Sequence, residues 1–338
     1  MGLNWLITGG CGFIGRNLIK NLMNEGGHYI RIIDNLSVGT RSDLSKVCSF
    51  NEISEKDYSF DTPRPAVDLI VGDILNADFA VQITKNIDVI VHLAANTGVG
   101  PSVEDPRKDC EINVIGTFNY LEAARTNSVK CFIFASSGAP AGECEPPIHE
   151  ELPPHPVSPY GASKLAGEGY CSAYFKTFGL QTIALRFGNV YGPLSSHKDS
   201  VVAKFIKNIL NNETLEIYGD GSQTRDFIYI DDLINAIRLS VDKENIGGEI
   251  FQIATNKETT VNKIGELLIS YASTKGINNI EIKNAKFRLG DVKRNFSDTT
   301  KAKKNLGWQA ETDLSVGIGH TFEWFYNKEE KKICRIGK

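Results

Sequence analysis

Two side chains carry most of the chemical promise of this 338-residue chain, Tyr160 and Lys164, in the run Tyr160-Gly161-Ala162-Ser163-Lys164. On a helix, residues four apart share a face and lie about 6 Å apart along the axis. A free phenol, with a pKa of about 10, is ionised in only about one molecule in a thousand at pH 7. A neighbouring ammonium favours the phenolate, and each unit of lowering represents about 1.4 kcal/mol. So placed, Tyr160 becomes a base toward a hydroxyl. The same spacing also occurs in ordinary surface pairs, so a third group matters. Ser136 and Ser137 follow the apolar run Cys131-Phe132-Ile133-Phe134. They should stand at the C-terminal edge of a sheet, where such folds bind ligands. A hydroxyl at Ser137 can bridge a substrate oxygen and the Tyr160 oxygen, although a turn serine would look the same in the sequence.

A second constellation lies at the N-terminus. Thr8-Gly9-Gly10-Cys11-Gly12-Phe13-Ile14-Gly15 follows an expected strand and opens an expected helix. Glycines at 9, 10 and 12 allow a tight turn and close backbone approach, and Gly15 allows close packing of helix on strand. The helix then offers free amides and a positive dipole end to a pyrophosphate. Asp34 ends the next expected strand. An acid there accepts hydrogen bonds from ribose hydroxyls and repels a 2′-phosphate, so NAD is favoured over NADP. Asp73, in Val71-Gly72-Asp73-Ile74, ends the third run and either reaches the adenine or caps the strand.

These groups need a scaffold. Apolar runs at 3–8, 29–34, 67–71, 88–93, 130–136 and 181–187 alternate with helical patterns. Between the first two, Ile14, Leu18 and Leu22 recur at four-residue spacing, one face of a helix. Segments 109–126 and 159–178 also read as helices. The alternation predicts an α/β fold, a doubly wound parallel Rossmann sheet with a smaller α/β C-terminal substrate lobe. The expected division is 1–188 for the NAD-binding domain and 189–338 for the lobe, with part of 226–255 returning to the first domain. Seven of the twelve prolines fall between Pro140 and Pro159. That stretch should be a stiff, non-helical connection.

Bulk properties exclude several classes. Hydrophobic residues make up 41% and charged residues 23%, with a formal net charge of −4. Nothing points to a nucleic-acid partner, and no stretch approaches the roughly 20 apolar residues of a membrane span. The chain opens directly on an expected strand with no signal peptide. Seven scattered cysteines, never spaced as CxxC, suggest inert thiols in a reducing cytoplasm rather than disulfides or zinc. His149 and His155, with Glu150 and Glu151, read as a polar loop, so no metal is expected. His92 reads as structural.

Together these features resemble the extended short-chain dehydrogenase/reductase family, specifically its NAD-dependent nucleotide-sugar epimerases and dehydratases. The likeness spans nearly the whole chain: the glycine turn, Asp34-Asn35-Leu36, His92-Leu93-Ala94-Ala95, Asn113 with Gly116-Thr117, the Tyr160–Lys164 run, Leu185 to Pro193, Gly219-Asp220-Gly221 with Arg225-Asp226-Phe227, and Gly290-Asp291. It implies that Ser137, Tyr160 and Lys164 are catalytic. It implies an NAD site built from Gly9, Gly12, Phe13, Ile14, Gly15, Asp34, Asn35, Leu36, Ser37, Gly39, Asp73, Ile74, Leu93, Ala94, Ala95, Thr97 and Asn113, with Tyr160 and Lys164. A UDP-sugar would meet Ser137, Tyr160, Phe187, Asn189, Val201, Tyr218, Arg225, Arg288 and Asp291. Arginine forks suit the diphosphate. The resemblance also implies a homodimer in which 109–126 and 159–178 pair as a four-helix bundle.

The family's reactions start alike, with hydroxyl deprotonation and hydride transfer that leave a ketosugar. The 4,6-dehydratases then use an Asp-Glu pair just after the catalytic hydroxyl residue, and UDP-glucuronate decarboxylases use a Glu there. This chain has Gly138 and Ala139, which cannot move a proton. The 4-epimerases need no such acid. Uronate 4-epimerases typically carry a carboxylate-holding arginine where this chain has Gly100. Asn295 matches a position lining the sugar pocket, where a bulky side chain tends to exclude N-acetyl groups. The resemblance therefore implies 4-epimerisation of UDP-glucose and UDP-galactose, with N-acetyl forms admitted; another epimerisation or a dehydration is the alternative. One departure is Ala141, where the family usually has tyrosine; it should enlarge or reshape the sugar pocket.

Overall fold

The structure, a computed structural model, describes residues 2–58, 66–286 and 293–336. Its centre is an eight-stranded sheet. In chain order the strands are β1 (Asn4–Thr8), β2 (Tyr29–Asp34), β3 (Asn51–Ser54), β4 (Val67–Val71), β5 (Val89–His92), β6 (Cys131–Ser137) and β7 (Thr182–Phe187), with β12 (Glu249–Ile253) arriving much later. The spatial order is β3-β4-β2-β1-β5-β6-β7-β12, and every pairing is parallel. Such strands are covered on both faces and read as continuous apolar runs. Trp5 and Ile7 belong to the core on one face and Leu6 to the core on the other, as the period of two requires.

The strand order reverses between β1 and β5, and the crevice at the C-terminal ends of those strands is the ligand position of an open α/β sheet. Helix α1 (Phe13–Glu25) follows β1 and buries Leu18, Ile19 and Leu22. The short α2 (Arg41–Leu44) follows β2, and α3 (Ala77–Ile83) follows β4. After β5 come α4 (Val99–Glu104), α5 (Pro106–Cys110) and α6 (Gly116–Thr126), the last two joined by a wider π-type turn over Glu111–Ile115. The single helix expected over 109–126 is thus a jointed one. Asp105 caps α5 by accepting from the Lys108 amide at 3.0 Å. The long α7 (Pro159–Phe178) carries Tyr160 and Lys164; Ser158 caps it through the Gly161 amide at 3.1 Å.

Beyond β7 the chain leaves the sheet for the smaller lobe. This contains β8 (Asn189–Tyr191), α8 (Val201–Leu210), β9 (Leu215–Tyr218) and β10 (Thr224–Arg225). Next, β11 (Phe227–Tyr229) pairs in parallel with β8, and α9 (Ile230–Asp242) packs on α1 and leads into β12. The remainder is β13 (Thr259–Thr260), α10 (Val261–Thr274), β14 (Ile282–Ala285) and α11 (Leu314–Ile336). In the lobe, α8, α10 and α11 pack together, while β14 pairs with β9 and β13 with β10. Asp226 stitches the crossings between the two parts. Its carboxylate accepts from the Thr255 amide (2.7 Å) and hydroxyl (2.6 Å) and from the amides of Asn256 (3.0 Å) and Ser297 (3.3 Å). Its carbonyl accepts from the Asn189 amide at 2.7 Å.

No helix among the described residues is long and apolar enough to cross a membrane.

Candidate active site

The glycine turn lies at the sheet's switch point. Gly9 has φ +70°, and a Cβ there would stand 2.8 Å from the Ala94 amide nitrogen. A Cβ on Gly15 would meet the Gly10 Cα at 2.6 Å. Both positions therefore need glycine for close backbone packing. Arg16, 1% exposed, locks the turn from behind, donating to the Gly12 carbonyl at 3.2 Å and the Leu194 carbonyl at 2.7 Å. Its partner Asp43 also accepts from Thr40, Lys46 and His197. Burial pushes the Asp43 carboxyl up, but those hydrogen bonds and the Arg16 charge outweigh it and hold it well below the usual range. Nothing in the motif reading pointed to Arg16 or Asp43.

Asp34 ends β2 beside the turn and accepts from the amides of Cys11 (2.9 Å) and Leu36 (2.8 Å). Burial raises this carboxyl against the pull of the Leu36 and Cys11 amides. Leu36 turns the chain with φ +59°, and Asn35, Ser37 and Gly39 continue the loop. A Cβ on Gly39 would fall 2.0 Å from the Cys11 carbonyl oxygen, so this loop presses on the glycine turn. Phe13 and Ile14 open α1. Asp73, two residues past β4, accepts from the Leu75 amide at 3.0 Å, and Glu55 accepts from the Asp73 amide at 3.2 Å. Ile74 packs against Gly116, where a Cβ would meet it at 2.5 Å.

His92, at the end of β5, ties the far wall together. Thr117 Oγ1 donates to the Asn113 carbonyl (2.7 Å), so at His92 Nε2 (3.2 Å) it accepts. The proton is therefore on Nε2, and Nδ1 accepts from Thr8 Oγ1 at 3.0 Å. Thr8 Oγ1 in turn accepts from the amides of Leu93 and Ala94, both at 3.1 Å. Burial, then the Lys164 charge, lowers the imidazole to about 3. His92 is thus a neutral connector that fixes Leu93 and Ala94, with Ala95 and Thr97 in the irregular segment that follows. Asn113, 1% exposed, donates to the Asn96 carbonyl (3.0 Å), Asp109 (2.9 Å) and Ser163 Oγ (3.1 Å).

Ser137 closes β6, and its Oγ accepts from the Ala139 amide at 2.9 Å. The half-buried Tyr160 phenol lies beside it and feels its hydroxyl. Burial pushes this phenol up to about 12; the Ser137 hydroxyl lowers it and the Asp109 charge raises it. The ammonium of Lys164 sits 5.9 Å from the Tyr160 ring centroid and 4.9 Å from that of Phe134, donating to the Ala135 carbonyl at 2.9 Å. The sequence spacing suggested that this ammonium would depress the phenol; in the protein alone, desolvation wins. Lys164 itself is 3% exposed, and burial lowers it to about 8 against the charges of Asp109 and Glu168. One turn further on, Glu168 receives Arg186 in a buried two-pronged pair (2.7 and 2.8 Å) and the Ser136 hydroxyl at 2.6 Å. Neither Glu168 nor Asp109 was singled out in the sequence, since a helical carboxylate looks solvent-facing until its neighbours are known.

Gly138 faces the lobe: a Cβ there would stand 4.0 Å from Asn295 Nδ2. Ala141 is 2% exposed, so its methyl packs inward. Phe187 is buried at the end of β7, Asn189 is exposed on β8, and Val201 begins α8. Tyr218 ends β9, and Arg225, on β10, donates to the Thr224 carbonyl at 2.6 Å. Arg288 and Asp291 lie outside the described residues. Arg294 pairs with Glu258 (2.7 and 2.9 Å) and Glu145 (2.8 Å), tying the proline-rich segment to the lobe. Among the described residues no three His, Cys, Asp or Glu side chains converge as metal ligands would.

Comparison with known proteins agrees with this layout. The model of the NAD dependent epimerase/dehydratase family matches residues 5–254. A UDP-glucose 4-epimerase of Mycolicibacterium smegmatis is 36% identical over 330 residues, 96% of this chain and 99% of that one. The crystal structure of UDP-glucose 4-epimerase from Thermotoga maritima with UDP-glucose superposes with a TM-score of 0.85 at 33% identity, covering 97% of this chain and 100% of that one. UDP-N-acetylglucosamine 4-epimerase from Methanobrevibacter ruminantium, in complex with UDP-N-acetylmuramic acid, gives a TM-score of 0.85 at 30% identity, covering 97% and 99%.

Proposed function

The chain belongs to the NAD-dependent epimerase/dehydratase family, and from that premise we propose that it interconverts UDP-hexoses at C4, UDP-glucose with UDP-galactose and their N-acetyl forms. One observation carries the choice within the family. Ser137, at the end of β6 beside Tyr160, is followed by Gly138 and Ala139, which have no group able to donate or take a proton. Loss of water from C5 and C6 of the ketosugar lacks its acid. Removal and return of hydrogen at one carbinol needs none.

The residues suit NAD. The Gly9 and Gly15 positions leave no room for a Cβ, the amides at the start of α1 suit a pyrophosphate, and Asp34 suits ribose hydroxyls. Bound there, NAD⁺ would supply a hydride acceptor and a positive charge that favours the phenolate. The Ser137 hydroxyl bridges the sugar O4 and the phenol. Tyr160 takes the O4 proton and later returns it; Lys164 stabilises the phenolate electrostatically. Asn189 and Arg225, with Arg288, hold the diphosphate, Asp291 the ribose, and Tyr218 the uracil. The 4-ketosugar turns within the site and regains hydrogen on its other face.

The exposed apolar side chains Tyr170 and Phe178 on α7, with Ile115 just before α6, support a homodimer built on α6 and α7, for which a dimeric mass in solution is expected. Six free cysteines among the described residues support a reducing, cytoplasmic setting.

Incubation of the purified protein with UDP-glucose and with UDP-N-acetylglucosamine, followed by separation of the 4-epimers, tests the assignment. Both pairs should equilibrate with no net change in NAD. Stable cofactor with no epimer from either substrate, or loss of water from the sugar, would overturn it.

A further inference from the structure

We propose that Asp109 is a positioning residue of this reaction, the buried counter-charge that keeps Lys164 an ammonium. The inference rests on the Tyr160–Lys164 reading above.

Lys164 is enclosed, and its ammonium has one protein acceptor among the described residues, the Ala135 carbonyl. An amine so desolvated sheds its proton unless a negative charge stands near. Two carboxylates act on it, Asp109 more strongly than Glu168. Glu168 is already committed: both oxygens receive Arg186 and one also receives Ser136, so the pair presents little net charge to Lys164. Asp109, by contrast, is held by neutral amides and by no cation among the described residues. It is 1% exposed on α5, which packs against α7. Its Oδ1 accepts from Asn113 (2.9 Å) and Asn96 (3.5 Å). Among the described residues its Oδ2 accepts no hydrogen bond and it forms no ion pair. An unpaired buried charge is costly and calls for an opposite one nearby.

The other groups around Lys164 cannot fill that role. His92 on β5 is neutral, burial keeps the Cys171 thiol on α7 protonated, Tyr160 is a neutral phenol in the protein alone, and Arg186 on β7 is a paired cation. Asp109 is also wired to the start of α7. The Asn113 amide that it holds donates to Ser163 Oγ (3.1 Å), and that hydroxyl donates to the Tyr160 carbonyl at 3.0 Å. One carboxylate therefore sets both the charge of the lysine and the seat of the tyrosine.

The test uses the full-length, NAD-loaded protein with Asp109→Asn, and Asp109→Ser in case the first does not fold. The kcat and KM for UDP-glucose are measured between about pH 6 and 10, together with the ¹⁵N titration of the Lys164 ammonium, assigned with Lys164→Arg. In either variant the alkaline limb of kcat and the Lys164 midpoint should both move down by about one pH unit or more, with KM little changed. Asp109→Glu should restore most of the shift. A kcat reduced equally at every pH, with the midpoint unmoved, would leave Asp109 a structural residue and overturn the proposal. If the wild type epimerises no UDP-sugar, the functional assignment fails, but the ¹⁵N midpoint still decides the role of Asp109.

Discussion

The side-chain amide of Asn295 stands 4.0 Å from the point that a Cβ on Gly138 would occupy, so a residue of the small lobe faces the one that follows Ser137. The proposed sugar site is therefore walled by both parts of the molecule. Replacing Asn295 with Tyr should narrow it. The kcat/KM for UDP-N-acetylglucosamine should fall at least about tenfold relative to that for UDP-glucose, about 1.4 kcal/mol of discrimination. An unchanged ratio would place Asn295 outside the pocket.

Arg186 and Glu168 form a pair whose side chains are 3% and 1% exposed. Arg186→Leu strands the carboxylate in the core and should cost about 3–5 kcal/mol in urea denaturation, whereas Arg186→Leu with Glu168→Leu should regain much of the loss. A single variant as stable as the wild type would show that the pair is not desolvated in solution.

The His92 imidazole, held at about 3 in the folded chain against its ordinary 6.5, makes stability fall with acidification. Below pH 6.5 the unfolded chain takes up a proton that the folded chain refuses, so stability is full above 6.5 and declines progressively toward pH 3. Melting curves should show this slope, and His92→Gln should flatten it while lowering stability at pH 7. A wild-type curve flat between pH 6.5 and 4 would contradict it.

Gly9→Ala places a Cβ 2.8 Å from the Ala94 nitrogen at φ +70°. It should cost about 1–2 kcal/mol of stability and reduce NAD co-purifying with the protein, read by absorbance of the released nucleotide. Full NAD content would show that the turn tolerates the methyl.

The Rossmann half of the fold was legible because buried parallel strands read as apolar runs and α1 as a four-residue repeat. The edge strand β3 was not, since Asn51, Glu52 and Ser54 are polar and its pairing comes from β4. The joint at Glu111–Ile115 was invisible too, because its composition continues the helical pattern on either side. Around the site, Tyr160, Lys164 and Ser137 announced themselves by spacing. Arg16, Asp43, Glu55, Asp109 and Glu168 did not, because what covers each comes from another element: Arg16 meets Leu194, Asp43 meets His197, Glu168 meets Arg186, and α7 packs over the α5 that carries Asp109. Periodicity finds faces of elements; it does not find which charged side chain another element will cover.

Asp226 has a mechanical consequence. Where Asn189 leaves β7's strand end, where the chain passes 226, and where Thr255 leaves β12, the three backbone strands are pinned to one residue. A body hung from one strap swings; one hung from three sutured straps does not. The lobe should therefore behave as a fixed jaw, and sugar nucleotides should enter by rearrangement of side chains and surface loops rather than by wholesale opening of the cleft.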